Sequence, residues 1–329
     1  MRGRWGWVVA AAVVARVAAA DPVGQAGATE GSANTAVKPV SRLAGWLPDP
    51  VKVGYVLRPD SLVDKRPIFI DVVRSTGRNL WILDASYDRD RPSRWSAQEI
   101  HVMRLTDPQR KIVAVLSVAT AERWREYWEP AWADAKQRPD WLLTPRDHDP
   151  GTWRVKWWAP EWKELVKEEL DGVLARGFDG VVFAGLDDVL ERETVKDVYQ
   201  PGAINPETKR PWREDLAQHV AEMARYVRGG AAGRFVVMGM DAPELLAVPT
   251  YASTVDGVIV QDMFRYGEAR VAWLDNLIQP YLAASGTVLL IEDQQGASPE
   301  EARKGAAIRG LATLFNEPGR SNLGLAPVP

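Results

Sequence analysis

The chain has 329 residues, 46% of them hydrophobic, with 41 basic and 44 acidic residues and a formal net charge of -3. This composition supports a sizeable core, and its evenly mixed charge leaves no electrostatic footprint for nucleic acid or an anionic membrane surface. Cysteine is absent and the only histidines are His101, His148 and His219, without metal-ligand spacing. Disulfides, thiolate sites and a cysteine nucleophile are thereby excluded, and no metal or other cofactor is expected.

Residues 1–20 read as a secretory signal: Arg2 and Arg4 form a basic start, residues 5–15 a short apolar region, and Ala18-Ala19-Ala20 a small-residue cleavage site. A secreted or periplasmic location follows, with no stable transmembrane segment after cleavage. Residues 21–42 are rich in Gly, Ala, Ser and Thr without periodicity and read as a flexible linker. A single domain is expected over residues 43–329, acting as a monomer.

Within that domain short apolar runs alternate with helical patterns. Eight strands are predicted, at residues 51–57, 79–84, 112–118, 180–184, 235–240, 257–261, 288–291 and 312–315. Helices are predicted near residues 96–105, 121–136, 160–176, 212–227, 269–283 and 298–310, with a weak one at 65–76 that Pro67 interrupts. The clearest unit is 160–184, in which Pro160 opens a helix, Trp162, Val166, Leu170 and Val173 form its apolar stripe, and Gly177 ends it before a buried strand. Eight βα units imply an α/β fold of the (β/α)8 TIM-barrel kind. A Trp-rich insertion near 130–158 interrupts the repeat, and five tryptophans argue for an ordered lid or wall over the barrel mouth.

TIM-barrel chemistry lies at the C-terminal ends of the strands. Those ends hold Tyr55, Asp84, Glu122, Asp187, Asp188, Asp241, Glu244, Gln261 and Asp262. A ring of carboxylates with aromatics and no metal-ligand set suits glycoside hydrolysis, where one acid protonates the leaving oxygen and a second attacks or activates water. Each acid alone reads better as a surface charge or a helix cap, by roughly two to one.

Three blocks carry a family resemblance. Residues 111–128 read KIVAVLSVATAERWREYW, residues 157–162 WWAPEW and residues 177–187 GFDGVVFAGLD, with a weaker block, DGVIVQDMF, at 256–264. Together they resemble the endo-α-1,4-polygalactosaminidase group, glycoside hydrolase family 114, whose members are secreted TIM barrels that cleave galactosamine-containing polysaccharides. The resemblance implies a polysaccharide or oligosaccharide partner. It also implies a catalytic pair formed by an aspartate ending strand four and a glutamate ending strand six, and here those positions are Ala184 and Gln261. Thr120 stands at the first glutamate of the family's GEAE segment, whereas Glu122, Arg125, Trp128 and Asp187 match.

Two readings follow. In one, the protein remains a hydrolase with Asp187 or Asp188 and Asp262 or Glu122 as substitute acids. In the other it is a non-catalytic sugar-binding or envelope-assembly protein, with Tyr55, Asp84, Trp124, Arg125, Trp128, Trp157, Trp158 and Asp241 around the mouth.

Overall fold

Eight apolar runs of the sequence become eight parallel strands. The computed structural model describes residues 41–316, apart from 48–50, 64, 90, 148, 197, 265–266, 294–297 and 310. The expected signal peptide, nearly all of the linker and His148 lie outside the described residues.

In chain order the elements begin with β1 (Val53–Val56), α1 (Pro59–Leu62), α2 (Arg66–Ser75), β2 (Leu80–Asp84), α3 (Ala97–Arg104) and β3 (Lys111–Ser117). There follow β4 (Thr120–Glu122), β5 (Leu142–Arg146), β6 (Asp149–Val155), α4 (Pro160–Ala175), β7 (Gly180–Ala184), α5 (Asp188–Arg192), β8 (Thr194–Val195) and β9 (Val198–Tyr199). The last third holds α6 (Trp212–Gly230), β10 (Val236–Met240), a 3-10 turn (Pro243–Ala247), α7 (Pro249–Thr254), β11 (Gly257–Gln261), α8 (Glu268–Ala283), β12 (Thr287–Asp293), α9 (Pro299–Ile308) and β13 (Ala312–Asn316). The main sheet runs β1-β2-β3-β7-β10-β11-β12-β13, with every recorded pairing parallel. Strand order therefore follows chain order, as in a (β/α)8 barrel.

Alternation along the strands sorts side chains into two cores. Tyr55, Ile82, Val115, Val182, Met238, Ile259 and Leu289 share one cluster, the barrel interior, and Leu43 and Trp46 pack into it from below. Their neighbours in sequence, among them Trp81, Leu83, Leu116, Val181, Phe183 and Val260, belong to the second cluster, which packs against the helices. Helix α4 shows how the second layer forms: Trp162, Val166, Leu170 and Val173 are buried at helical spacing. Each such side chain contributes roughly 1.5–3 kcal/mol of transfer free energy. Gly177 ends this unit at φ 79°, a left-handed conformation that costs glycine nothing.

Two local expectations change. Pro67 does not interrupt the helix near 65–76; it occupies the first turn of α2, where its missing N–H is no loss. The helix expected at 121–136 is absent, replaced by strand β4, turns and a 3-10 turn at Pro130–Ala133. Apolar spacing there reflects packing within the insertion instead. Strand β4 pairs antiparallel with β6, and β6 with β5, giving a separate three-stranded sheet. A chain of edge-on and tilted indoles joins it to the barrel: Trp128 to Trp132 and Trp153, Trp132 to Trp141, and Trp141 to Trp162.

Candidate functional site

Ala184 and Gln261 are the last residues of β7 and β11. Ala184 follows Val182 by two residues and packs on the interior cluster, and Gln261 follows the interior Ile259 by two. Both therefore sit at inward-facing strand ends, where a TIM barrel presents its reactive groups. Ser117 pairs with Ala184 in the neighbouring strand, and its hydroxyl lies 2.6 Å from that of Thr120. The next residue, Gly185, has φ 73° and no room for a side chain, since a Cβ would come within 2.4 Å of the Ser117 Oγ. This wall of the mouth is built from two hydroxyls and a methyl group.

Across the mouth, Gln261 donates its Nε2 hydrogen to Asp241 Oδ1. Asp241 and Asp262, each one residue past a strand, adopt left-handed backbone angles of φ 68° and 51°. Aspartate tolerates this region better than most residues, and non-glycine residues held there often mark functional sites. The turn takes Asp262 out of strand alternation, while its amide still donates to Ile291 O at 3.0 Å. The Asp262 side chain is buried.

The other candidate acids are tied to arginines. Arg125 is buried and donates to Asp84 at 2.7 Å and to Glu122 at 2.6 Å, with a further contact of 3.1 Å to Ser86. Burial pushes the Glu122 carboxyl up against the pull of Arg125. Asp84 also accepts the Ser86 amide at 2.8 Å, and its backbone oxygen takes the indole N–H of Trp95 at 2.9 Å. Asp187 forms a two-pronged pair with Arg146 at 3.0 and 2.7 Å, and Arg146 reaches Glu191 as well. Asp188 is fully buried against Arg192 at 3.0 Å, and that burial raises its pKa. Arg146 and Arg154 belong to β5 and β6, so Asp187, Asp188 and Glu191 dock the inserted sheet onto the barrel.

The tryptophans divide in the same way. Trp157 is fully enclosed, edge-on to Trp158 and Trp212 with the Arg192 guanidinium 5.1 Å from its ring centre. It has no free face for a sugar ring in this arrangement. Trp158 is partly exposed and donates to Glu207 at 2.9 Å. Trp124 and Trp128 border an open cleft of about 510 Å³ beside β1, β2 and β4, together with Arg58, Arg89 and Arg123. Tyr55 is wholly inside the barrel.

One of the strand-end acids stands out. Glu244, in the turn after β10, is buried, and its Oε2 has no hydrogen-bond partner. Burial lifts its pKa to about 7, although a hydrogen bond from its own backbone and the charges of Arg270 and Arg213 pull it down. A carboxyl poised there at neutral pH can donate a proton, as general acids do. Periodicity could not have singled it out, because Glu244 reads locally as an acid in the first turn of a short helix. Among the described residues, no group of three or more His, Asp or Glu side chains could hold a metal ion.

The pattern of glycoside-hydrolase family GH114 matches residues 85–321. The chain belongs to this family. An uncharacterized protein of Deinococcus radiodurans is 30% identical over 201 residues, covering 61% of this chain and 58% of that one. An uncharacterized protein of Thermotoga maritima is 29% identical over 199 residues, covering 58% and 56%. The match thus spans little more than half of these relatives. Among solved structures, the complex of Aspergillus fumigatus Ega3 with galactosamine superposes with a TM-score of 0.58 at 14% identity, covering 89% of this chain and 98% of that one. The glycoside hydrolase domain of PelA from Pseudomonas aeruginosa gives 0.54 at 15% identity, covering 83% and 96%. These likenesses carry the fold: the GH114 chain is a (β/α)8 barrel. In it, the inserted sheet is a structural extension of the wall above β3 and β7.

Proposed function

We propose that this GH114 protein binds an extracellular amino-sugar polysaccharide at the barrel mouth and lacks the hydrolytic pair of the polygalactosaminidases. The observation that carries the reading is the presence of Ala184 and Gln261 at two inward-facing strand ends. An alanine has no proton to give and no oxygen with which to attack. The amide of Gln261 can hydrogen-bond a sugar hydroxyl but cannot ionise. Asp187 and Glu122, two of the candidate substitute acids, already neutralise Arg146 and Arg125. The galactosamine complex of Ega3 supports the sugar class, and the basic, apolar and small-residue pattern of residues 1–20 supports export.

The test combines calorimetry and a reducing-end assay on N-acetylgalactosamine and galactosamine oligomers. Binding without new reducing ends is expected from the natural protein, and cleavage is expected from the double variant A184D/Q261E. Turnover by the natural protein would remove the non-catalytic reading, and the absence of any binding would remove the saccharide reading.

A second reading has its own observation, the buried Glu244 carboxyl, whose Oε2 has no partner and whose pKa is lifted to about 7. Here Glu244 is the general acid of a slow hydrolase and Asp241, one residue past β10, the second carboxylate. Any turnover would then vanish in E244Q, since general acid help is worth ~10²–10⁴-fold.

A further inference from the structure

We infer that the cleft beside β1, β2 and β4 is a subsite for a carboxylated sugar, so that the bound polysaccharide alternates or mixes uronate with amino-sugar units. The inference rests on the saccharide reading above and narrows its substrate class. The cleft encloses about 510 Å³ and is lined by Arg58, Arg89, Arg123, Trp124, Trp128 and Asp149, among others. Three guanidinium groups thus face one carboxylate along the lining.

The acids paired with these arginines are withdrawn from solvent while the arginines are not. Arg58 pairs with Asp60 at 3.1 Å, with side-chain exposures of 42% and 17%. Arg89 reaches Asp84 at 3.3 Å, with exposures of 24% and 1%, and Asp84 is already held by Arg125 at 2.7 Å. Arg123 is exposed and makes no ion pair among the described residues. Asp149 is occupied locally, accepting from Thr152 Oγ1 at 2.7 Å and the Gly151 amide at 3.3 Å.

Donor capacity is also left over. A guanidinium offers five N–H groups in a planar fork that matches a carboxylate. The ion pairs of Arg58 and Arg89 each run through Nη2, and their Nε atoms are enclosed by protein, so the terminal nitrogens are the donors a ligand could meet. The Arg89 guanidinium lies 4.7 Å from the ring centre of Trp124, which also borders the cleft. Trp128, partly exposed, adds apolar surface of the kind that packs on sugar rings, whereas Trp124 is buried behind Arg89. A polymer of free galactosamine, cationic at neutral pH, would meet three like charges in this cleft.

The test is calorimetry on the full chain with three probes at low salt. They are an oligosaccharide alternating uronate with N-acetylhexosamine, a neutral N-acetylgalactosamine oligomer and a deacetylated galactosamine oligomer. The acidic oligomer should bind about tenfold or more tighter than the other two, as charge-assisted arginine–carboxylate bonds imply. Its advantage should shrink as salt rises. In R58Q/R123Q, two exposed changes, that advantage should be lost while neutral-oligomer binding persists. Equal or tighter binding of the galactosamine oligomer overturns the inference and leaves the saccharide reading standing. Acidic-oligomer binding that survives R58Q/R123Q, or that sulfate displaces equally well at matched ionic strength, also overturns it. Failure of all three probes overturns both.

Discussion

Glu244 should make the protein less stable as pH rises, and E244Q should remove the effect. Its ordinary pKa is 4.5, and in the fold burial lifts it to about 7. Below 4.5 the carboxyl is protonated in the folded and unfolded chains alike, so the group contributes no pH dependence. Between 4.5 and about 7 the folded chain retains a proton that the unfolded chain has released, so stability falls with rising pH. Above about 7 the loss is complete, and at 1.36 kcal/mol per pH unit it amounts to ~3 kcal/mol. Glutamine has nearly the same shape and no charge to bury. E244Q should therefore match the natural protein at pH 4 and exceed it by ~2–3 kcal/mol at pH 8. His219 acts in the opposite sense: buried and bonded to Val118 O, its pKa drops from 6.5 to about 4, so its term gains stability as pH rises across that window. Both proteins carry His219, and the difference between them cancels it. Urea unfolding at pH 4, 6 and 8 measures that difference. A gap between the two proteins that does not widen with pH, or an E244Q protein less stable at pH 8, would refute the reasoning.

Two further substitutions probe the insertion. R146A leaves Asp187 without its guanidinium, while Glu191 keeps Arg154; with Asp187 22% exposed it should cost ~1–3 kcal/mol, less than a fully buried pair, and open residues near 142–155 to limited proteolysis. Unchanged cleavage kinetics would show that the arginine does not hold the sheet. Trp162 is fully buried, donates its indole N–H to Val118 O at 2.9 Å and packs against Trp141 at 5.1 Å between ring centres. W162A should lose ~3–5 kcal/mol in urea unfolding and W162F clearly less, because a ring would still fill the space; equal losses would place the hydrogen bond above the packing.

Local sequence determined much of the barrel. Each of the eight strands appears within two residues of its predicted bounds at either end. Short apolar runs ending in turn residues report burial on both faces without needing a partner. The stripe of Trp162, Val166, Leu170 and Val173 and the stop at Gly177 are equally local, being set by helical pitch and by φ. That Ala184 and Gln261 end inward-facing strands was legible too, from the bounds of the apolar runs. Only the tertiary structure decided the rest. The inserted sheet depends on pairing between Thr120 and Arg154 and between Glu122 and Thr152, contacts set by chain closure over about thirty residues. Asp187 looked available until Arg146 folded across to take it, and Glu244 looked like an ordinary helix-start acid until burial raised its pKa. Charge and proton affinity depend on which groups lie a few ångströms away through space, and periodicity along the chain holds no record of that.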